Sequence, residues 1–206
     1  MDGGRGALES ALVGAAAARS MYWRGCSADD AALPILWSRP VVKDFSVLNV
    51  ATETYLALRA IDAGVARLCE RAGAAAGEGS TSAAARQAAA GPKAAQIIMM
   101  VDAGGLGLAQ MNLGLMRALL TLVLTVYPER FAAIYVGPVN FVLGGFIRTV
   151  KGLMPAALRS KVFTVSDPRS DLVKRGLLQP SDVPGFWNGP ADHAPAGDDA
   201  ATVDFF

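Results

Sequence analysis

The sequence predicts an α/β fold in which a mainly parallel sheet carries crossover helices. Apolar segments of strand length alternate with amphipathic helical segments along the chain, and this alternation is typical of parallel sheets. Residues 97–101 are apolar at every position, as expected of a central strand that is covered on both faces. The 206 residues, 52% of them hydrophobic, suffice for one domain with a sizeable core.

The first part of the chain is predicted to lie outside this domain. Residues 1–38 are interpreted as an N-terminal extension, partly helical through the Ala-rich stretch 8–21, and residues 39–42 are expected to begin a strand. A helix is predicted over residues 51–71, where apolar side chains recur at spacings of three and four. Residues 72–94 contain no large apolar side chain, which predicts a low-complexity surface insertion in the domain.

After the central strand, helices and strands are predicted in alternation. A helix is predicted over 106–126, because its polar side chains share one narrow stripe and the rest is expected to be buried. Strands are predicted at 131–136 and 161–165, with a helix over 141–154 between them. Residues 190–206, rich in Pro, Ala and Asp, are predicted to form a solvated tail. The polar stripe consists of Gln110, Arg117, Thr121 and Thr125.

Composition excludes several classes of function. Nineteen basic residues against eighteen acidic ones leave a net charge of +1, so no nucleic-acid partner is expected. The single histidine, His193, lies in the predicted tail, where it is not expected to pack, and this disfavours a histidine base or a histidine-ligated metal. Cys26 and Cys69 lack CxxC spacing and are expected to be reduced thiols. We therefore expect no metal or cofactor.

The mean hydropathy of +0.34 is compatible with membrane-spanning helices. The apolar windows 112–128 and 131–147 are poor spans, because Arg117 interrupts the first and glycines with Pro138 divide the second. The N-terminus has no basic region followed by an apolar run, so a secretory signal is not predicted. The predicted location is the cytoplasm, with an Ala-rich targeting segment at 7–19 as the alternative.

A glycine-rich turn after the central strand carries one alternative function. Gly105 and Gly107 give the GxG spacing of a dinucleotide-binding loop between a strand and a helix. Gln110 occupies the third small position, and Glu129 precedes the next strand, so no acidic side chain ends that strand to bind a ribose. The chain is therefore predicted not to be an enzyme, and a nucleotide-dependent oxidoreductase is the alternative.

The helix predicted over 141–154 combines an apolar face with three glycines on the opposite face. Each glycine costs about 0.5–1 kcal/mol relative to alanine in a helix. We therefore expect a weakly held helix that can move, and an ordinary helix packed on the core is the alternative. The glycines are Gly144, Gly145 and Gly152.

Several short motifs follow one another at characteristic spacings. Residues 39–41 are RPV, 101–105 VDAGG, 127–131 YPERF, 159–163 RSKVF and 183–189 VPGFWNG. Their order resembles the CRAL-TRIO lipid-binding domain family of phosphatidylinositol transfer, tocopherol transfer and retinaldehyde-binding proteins. That family's pattern runs from a GRPV strand through YPER, a gate helix and SKI to LPxxxGG. The resemblance covers about residues 39–189.

The resemblance implies a deep apolar lipid pocket that is closed by a gate helix over 141–154. It also implies that Glu129 and Lys161 contact the headgroup of a bound phosphoinositide, with the lysine facing phosphate and the carboxylate accepting from sugar hydroxyls. Arg148 and Lys151 are expected to face anionic membrane headgroups. The predicted pocket residues are Met99, Val101, Leu119, Phe141, Phe146, Ile147 and Val150.

Departures from the family pattern bear on the ligand. Leu158 replaces the threonine that precedes the SKI lysine by three, and Ile97 and Met99 replace a Ser/Thr pair that serves phosphatidylcholine. Phosphatidylcholine is therefore disfavoured, and a sterol, tocopherol or retinoid gains weight beside phosphatidylinositol. The predicted function is binding and inter-membrane transfer of a lipid by a monomer that contacts membranes transiently. A lipid-sensing scaffold without transfer activity is the second alternative.

Overall fold

The computed structural model describes residues 20–29, 32–42, 49–77, 96–107, 111–127 and 129–193, without the side chains of 67–77. The strands are β1 (Met21–Cys26), β2 (Pro34–Ser38), β3 (Ile97–Asp102), β4 (Phe131–Gly137) and β5 (Val162–Thr164). The helices are α1 (Val50–Gly77), α2 (Leu113–Thr125), α3 (Phe141–Gly152), α4 (Ala156–Arg159) and α5 (Pro168–Lys174), with 3₁₀ turns at Pro40–Val42 and Gly185–Trp187.

The five strands form one sheet in the order β1-β2-β3-β4-β5. β1 is antiparallel to β2, and the other neighbouring pairs are parallel. The apolar run at 97–101 lies in β3, the middle strand, as predicted. The mainly parallel α/β sheet is therefore confirmed.

The sheet separates two apolar layers, because alternate side chains of each strand point to opposite faces. On one face, Leu36 and Ile97 pack with α1 and α2. On the other face, Trp37 and Met100 pack with α5 and with the segment that contains Trp187. Both faces of β2 and β3 are therefore covered, which explains why their sequences are apolar at nearly every position.

The N-terminal prediction needs two corrections. Residues 21–38, predicted to lie in an extension, form β1 and β2 of the sheet. A strand was predicted to begin at 39–42, but β2 ends at Ser38 and Pro40–Val42 is a 3₁₀ turn. Pro40 has no N–H to donate to a strand ladder. Of the helix predicted over 8–21, only Ser20 and Met21 are described, and Met21 begins β1.

Helix α1 contains the predicted helix 51–71 and extends to Gly77. Its inner face packs against Trp23, whose Nε1 donates to the Ala60 carbonyl at 2.7 Å. Gly64 permits this contact, because a Cβ there would overlap the indole ring. The predicted insertion begins inside the helix, and its residues 78–94 lie outside the described residues.

The later elements agree with the prediction in type and differ in extent. Helix α2 begins at Leu113, where the Asn112 side chain accepts from the Leu115 N–H at 2.9 Å. Arg117, Thr121 and Thr125 are exposed as predicted, and Gln110 lies outside the described residues. The rest of the helix is not wholly buried, because Leu124 and the following Val126 are also exposed.

The segment around His193 packs against the sheet, which corrects the prediction of a tail that begins at residue 190. Ala191 exchanges backbone hydrogen bonds with the segment 183–185. The His193 Nδ1 lies 2.9 Å from the Tyr22 hydroxyl, and its ring contacts Trp37 edge-on. Residues 194–206 lie outside the described residues. The His193 segment packs here because Tyr22 of β1 and Trp37 of β2 form an aromatic surface that a neutral imidazole can cover.

Acidification is expected to loosen this contact. The pKa of His193 is lowered to about 4, mainly by burial and further by the nearby positive charges of Arg24 and Arg39. A hydrogen bond with the Asp182 backbone and the negative charge of Asp192 oppose this shift. Since the pKa is near 6.5 in an unfolded chain, the stabilisation is complete above pH 6.5 and is lost as the pH falls through 4. Tryptophan fluorescence between pH 7 and 4 measures the loss. His193→Phe should remove this transition, and an identical transition in that variant would contradict the assignment.

Candidate functional site

A cavity of about 240 Å³ lies between the sheet and the helices α1, α2 and α3. Apart from Ser38, Glu53 and Asn112, every lining side chain among the described residues is apolar, and none is basic. Six of the seven predicted pocket residues line this cavity. They are Met99, Val101, Leu119, Phe146, Ile147 and Val150.

Phe141, the seventh predicted pocket residue, is misplaced in the prediction. Its side chain is 96% exposed and does not line the cavity. The buried face of α3 carries Leu143, Ile147 and Val150. Phe141 stands two residues before Leu143 and therefore about 200° around the helix, which points it to the outside.

Glu129 and Lys161 meet at the edge of the sheet where the parallel strands begin. Lys161 Nζ lies 2.7 Å from Glu129 Oε2, and the Glu129 side chain is 74% exposed. The two residues precede β4 and β5, which are neighbours in the sheet, and this topology brings them together. Leu158 and Val162, on either side of Lys161, line the cavity. Glu129 and Lys161 themselves are not among the residues that line the cavity.

Helix α3 covers the cavity and presents its other face outward. The Asn140 side chain caps the helix by accepting from the Leu143 N–H at 2.9 Å. Arg148 is exposed, as predicted. Lys151 is not directed outward as predicted, because its Nζ donates to the Val162 carbonyl at 2.7 Å. β5 is an edge strand, and the lysine satisfies a carbonyl on that edge.

A buried polar cluster joins three of the sequence motifs and was missed by sequence analysis. Asp102, at the end of β3, is 3% exposed. Its Oδ2 lies 3.3 Å from Arg39 Nε, and its Oδ1 accepts from Trp187 Nε1 at 3.2 Å and from the Gly104 N–H at 3.1 Å. The Arg39 guanidinium stacks on Phe186. Each of these motifs contains a side chain that can form hydrogen bonds, and this was the signal available in the sequence. The cluster could not be located from it, because the bonded partners lie far apart in the sequence.

Tyr127, the first residue of the YPER motif, connects β4 with α1. Its hydroxyl donates to Asp62 Oδ1 at 2.5 Å and lies 3.2 Å from the Leu58 carbonyl. Burial raises the pKa of Tyr127, and the Asp62 carboxylate raises it further. The hydroxyl therefore remains a proton donor at neutral pH and fixes the start of β4, where Glu129 stands.

In its described residues, the glycine-rich turn differs from a dinucleotide-binding loop. Gly105 has φ +77, and a Cβ at this position would lie 3.3 Å from Val41 Cγ2. The following helix begins only at Leu113, with Asn112 as its cap, so its N-terminus does not follow the turn directly as phosphate binding requires. Within the described chain, no group of three His, Cys, Asp or Glu residues could hold a metal ion.

Comparison with known proteins gives a family and a fold. A sequence profile of the CRAL/TRIO domain matches residues 22–189. Thirty-two solved chains match in structure. One is a crystal structure of Sfh5, with a TM-score of 0.50 and 12% identity over 75% of this chain and 49% of that chain. The present chain thus spans about half of that structure, and at this identity the likeness concerns the fold.

No curated protein matches the chain. Among the described residues, no helix is long and apolar enough to cross a membrane.

Proposed function

Since the chain belongs to the CRAL/TRIO domain family, we propose that it holds one lipid molecule in the cavity and exchanges it between membranes. Members of this family are generally ligand-binding and transfer proteins, not enzymes. The observation that carries the proposal is the apolar cavity of about 240 Å³. Its volume approaches the 300–1,000 Å³ typical of small-molecule sites, and its lining suits a hydrocarbon.

We place the ligand's polar group at the Glu129–Lys161 pair. An ammonium and a carboxylate 2.7 Å apart can separate to bind the phosphate and the ring hydroxyls of an inositol phosphate. Leu158 lines the cavity at the position where the family pattern has a threonine, so the hydroxyl of that threonine is not available to bind the headgroup. Phosphatidylinositol is the proposed ligand of this arrangement, and the apolar Ile97 and Met99 disfavour phosphatidylcholine.

Extraction of the purified protein into organic solvent, followed by mass spectrometry, tests the proposal directly. A co-purifying lipid, together with transfer from donor to acceptor vesicles, is the expected result. A retained nucleotide without lipid would favour the oxidoreductase. A retained lipid without vesicle transfer would favour the scaffold function.

Lys161→Ala is expected to reduce phosphatidylinositol transfer at least severalfold while leaving the melting temperature nearly unchanged. A partly exposed ion pair contributes less than about 1 kcal/mol to stability, whereas the phosphate loses its cation. Vesicle transfer and thermal unfolding are measured side by side. Lys174→Ala, an exposed lysine on α5 at the other face of the sheet, is the matched control. Equal transfer by both variants would reject the headgroup assignment.

We further propose that α3 is the gate and that membrane contact opens it. A lipid that leaves through water exposes about 0.8 kcal/mol for each methylene, so release is favoured where acyl chains already surround the opening. Phe141 and Arg148 lie seven residues apart and therefore on one stripe of the helix. An exposed phenyl ring followed by a cation suits insertion into an anionic membrane surface.

Replacing Gly144 and Gly145 by alanine is expected to stabilise the protein and to slow transfer. A Cβ at Gly144 would lie 3.6 Å from Val139, and one at Gly145 would meet nothing within 4 Å. Each alanine therefore fits and should add about 0.5–1 kcal/mol. Anionic vesicles should accelerate hydrogen exchange over residues 141–152 in the original protein more than in the double variant. Undiminished transfer with unchanged exchange would leave α3 as core packing.

A further inference from the structure

Glu129 has a backbone conformation that is unusual for its residue type. Its φ is +60, in the left-handed region that is unfavourable for residues with a Cβ and that Gly, Asn and Asp tolerate best. The Arg130 N–H donates to the Tyr127 carbonyl at 3.3 Å, so Glu129 is the third residue of a turn, where Gly or Asn normally supplies a positive φ. At φ +58 the chain has Asn188. A glutamate at position 129 therefore carries an energetic cost that Gly or Asn would reduce.

The side chain of Gln96 holds this conformation from the neighbouring strand. Its Nε2 donates to the Glu129 carbonyl at 3.1 Å. Gln96 directly precedes β3, and the next residue, Ile97, donates its N–H to the Arg130 carbonyl at 2.8 Å. Consecutive residues at the start of β3 thus bind consecutive carbonyls at the start of β4. A strained backbone persists only where its surroundings hold it, and the Gln96 amide supplies one such contact.

The position of the Glu129 carboxylate depends on the backbone that carries it. The side chain is 74% exposed, so packing does little to fix it, whereas the Lys161 side chain is 22% exposed. The Lys161 carbonyl accepts from the Ile134 N–H at 2.8 Å, and a backbone bond of this kind survives side-chain substitution. The hydrogen bond described for the Glu129 carbonyl comes from a side chain instead. A substitution at Gln96 can therefore displace Glu129 from Lys161.

We propose that Gln96 is a positioning residue of the headgroup site. Its amide holds Glu129 in the left-handed conformation that brings the carboxylate to Lys161. Without this hydrogen bond, Glu129 relaxes to a negative φ, and the carboxylate moves away from the place where it accepts from the ring hydroxyls of the headgroup. The inference rests on the proposed function, because it names a residue that prepares the same headgroup site.

Vesicle transfer of phosphatidylinositol and thermal unfolding, measured on the same variants, separate positioning from stability. Gln96→Ala should reduce transfer about three- to tenfold, the equivalent of one net hydrogen bond to the headgroup. Glu129→Ala keeps the carbonyl and removes the carboxylate. Adding Gln96→Ala to it should therefore lower the melting temperature as much as Gln96→Ala does alone but reduce transfer no further. Gln179→Ala changes an exposed glutamine next to Leu178, on the other face of the sheet, and is the matched control that should alter neither quantity.

Glu129→Gly tests the strained backbone by itself. Glycine adopts a positive φ without the steric cost of a Cβ. This variant should therefore melt about 2–4 °C above Glu129→Ala, and the two should transfer phosphatidylinositol equally poorly. A glycine variant that melts below the alanine variant would show that residue 129 does not adopt the left-handed conformation, and would overturn the inference.

The transfer measurements also distinguish failure of this inference from failure of the proposed function. If Gln96→Ala reduced transfer by the same factor with and without the Glu129 carboxylate, or left it unchanged, the positioning role would be overturned and the lipid function would stand. If the original protein transferred another lipid but no phosphatidylinositol, the headgroup assignment and the role of Gln96 would fall together. An original protein that neither retains nor transfers any lipid would overturn the proposed function as well.

Discussion

Gly189→Ala is expected to destabilise the domain by about 3 kcal/mol or more. A Cβ at this position would overlap the carbonyl oxygen and carbon of Val183. That carbonyl accepts from the Ala191 N–H at 3.0 Å, and the Gly189 N–H itself donates to Pro184 at 3.0 Å. Backbone atoms surround the site, so no side chain can rotate to make room. Urea unfolding measures the loss.

Gly185→Ala provides a matched control in the same segment. A Cβ there would lie 3.8 Å from its nearest neighbour, the Ala191 carbonyl oxygen, which is ordinary van der Waals contact. We expect its unfolding midpoint to stay close to that of the original protein. If both alanine variants unfolded alike, the close approach of Gly189 to Val183 would not be what fixes this segment.

Asp102→Ala is expected to cost about 3–5 kcal/mol, the range found when one partner of a buried ion pair is removed. The substitution leaves Arg39 without its carboxylate and leaves the Trp187 indole N–H without its acceptor. It should also loosen the turn at Gly104, whose N–H donates to the same side chain. Chemical unfolding and the environment of Trp187, measured by fluorescence, report both effects.

Asp102→Asn separates charge from hydrogen bonding. The amide keeps an oxygen for the Trp187 and Gly104 N–H groups but gives Arg39 no negative charge. We therefore expect a loss about half that of the alanine variant. An alanine variant as stable as the asparagine variant would show that the hydrogen bonds to Trp187 and Gly104 contribute nothing measurable.

The sequence predicted the elements whose patterns are long enough to show a period. Helix α3 and the central strand β3 were located to within a few residues, since their apolar positions recur over a full helix face or an uninterrupted run. β1 and β2 were missed because each has six residues or fewer and β2 is buried on both faces. Such a strand has no alternation that distinguishes it from a helical fragment.

The site was predictable to a similar degree. Residues within one helix face follow from spacing, so the inner face of α3 was placed correctly and Phe141, just inside the helix start, was not. The contacts of Lys151, His193 and Asp102 join segments distant in sequence, and no local pattern encodes them. The meeting of Glu129 and Lys161 followed from a family resemblance, which carries topological information that spacing alone lacks.

Tyr22 and His193 are in contact although they lie 171 residues apart in the sequence, and this separation affects folding during synthesis. During synthesis β1 and β2 emerge before the other strands of the sheet. The segment that covers the Trp37 face of these two strands begins only near Val183. At about 5–20 residues per second, this interval lasts roughly 7 to 30 s. For that time an apolar sheet face is open to other nascent chains, so truncation before residue 183 should yield aggregates, and chaperones that hold apolar segments should raise the yield of full-length protein.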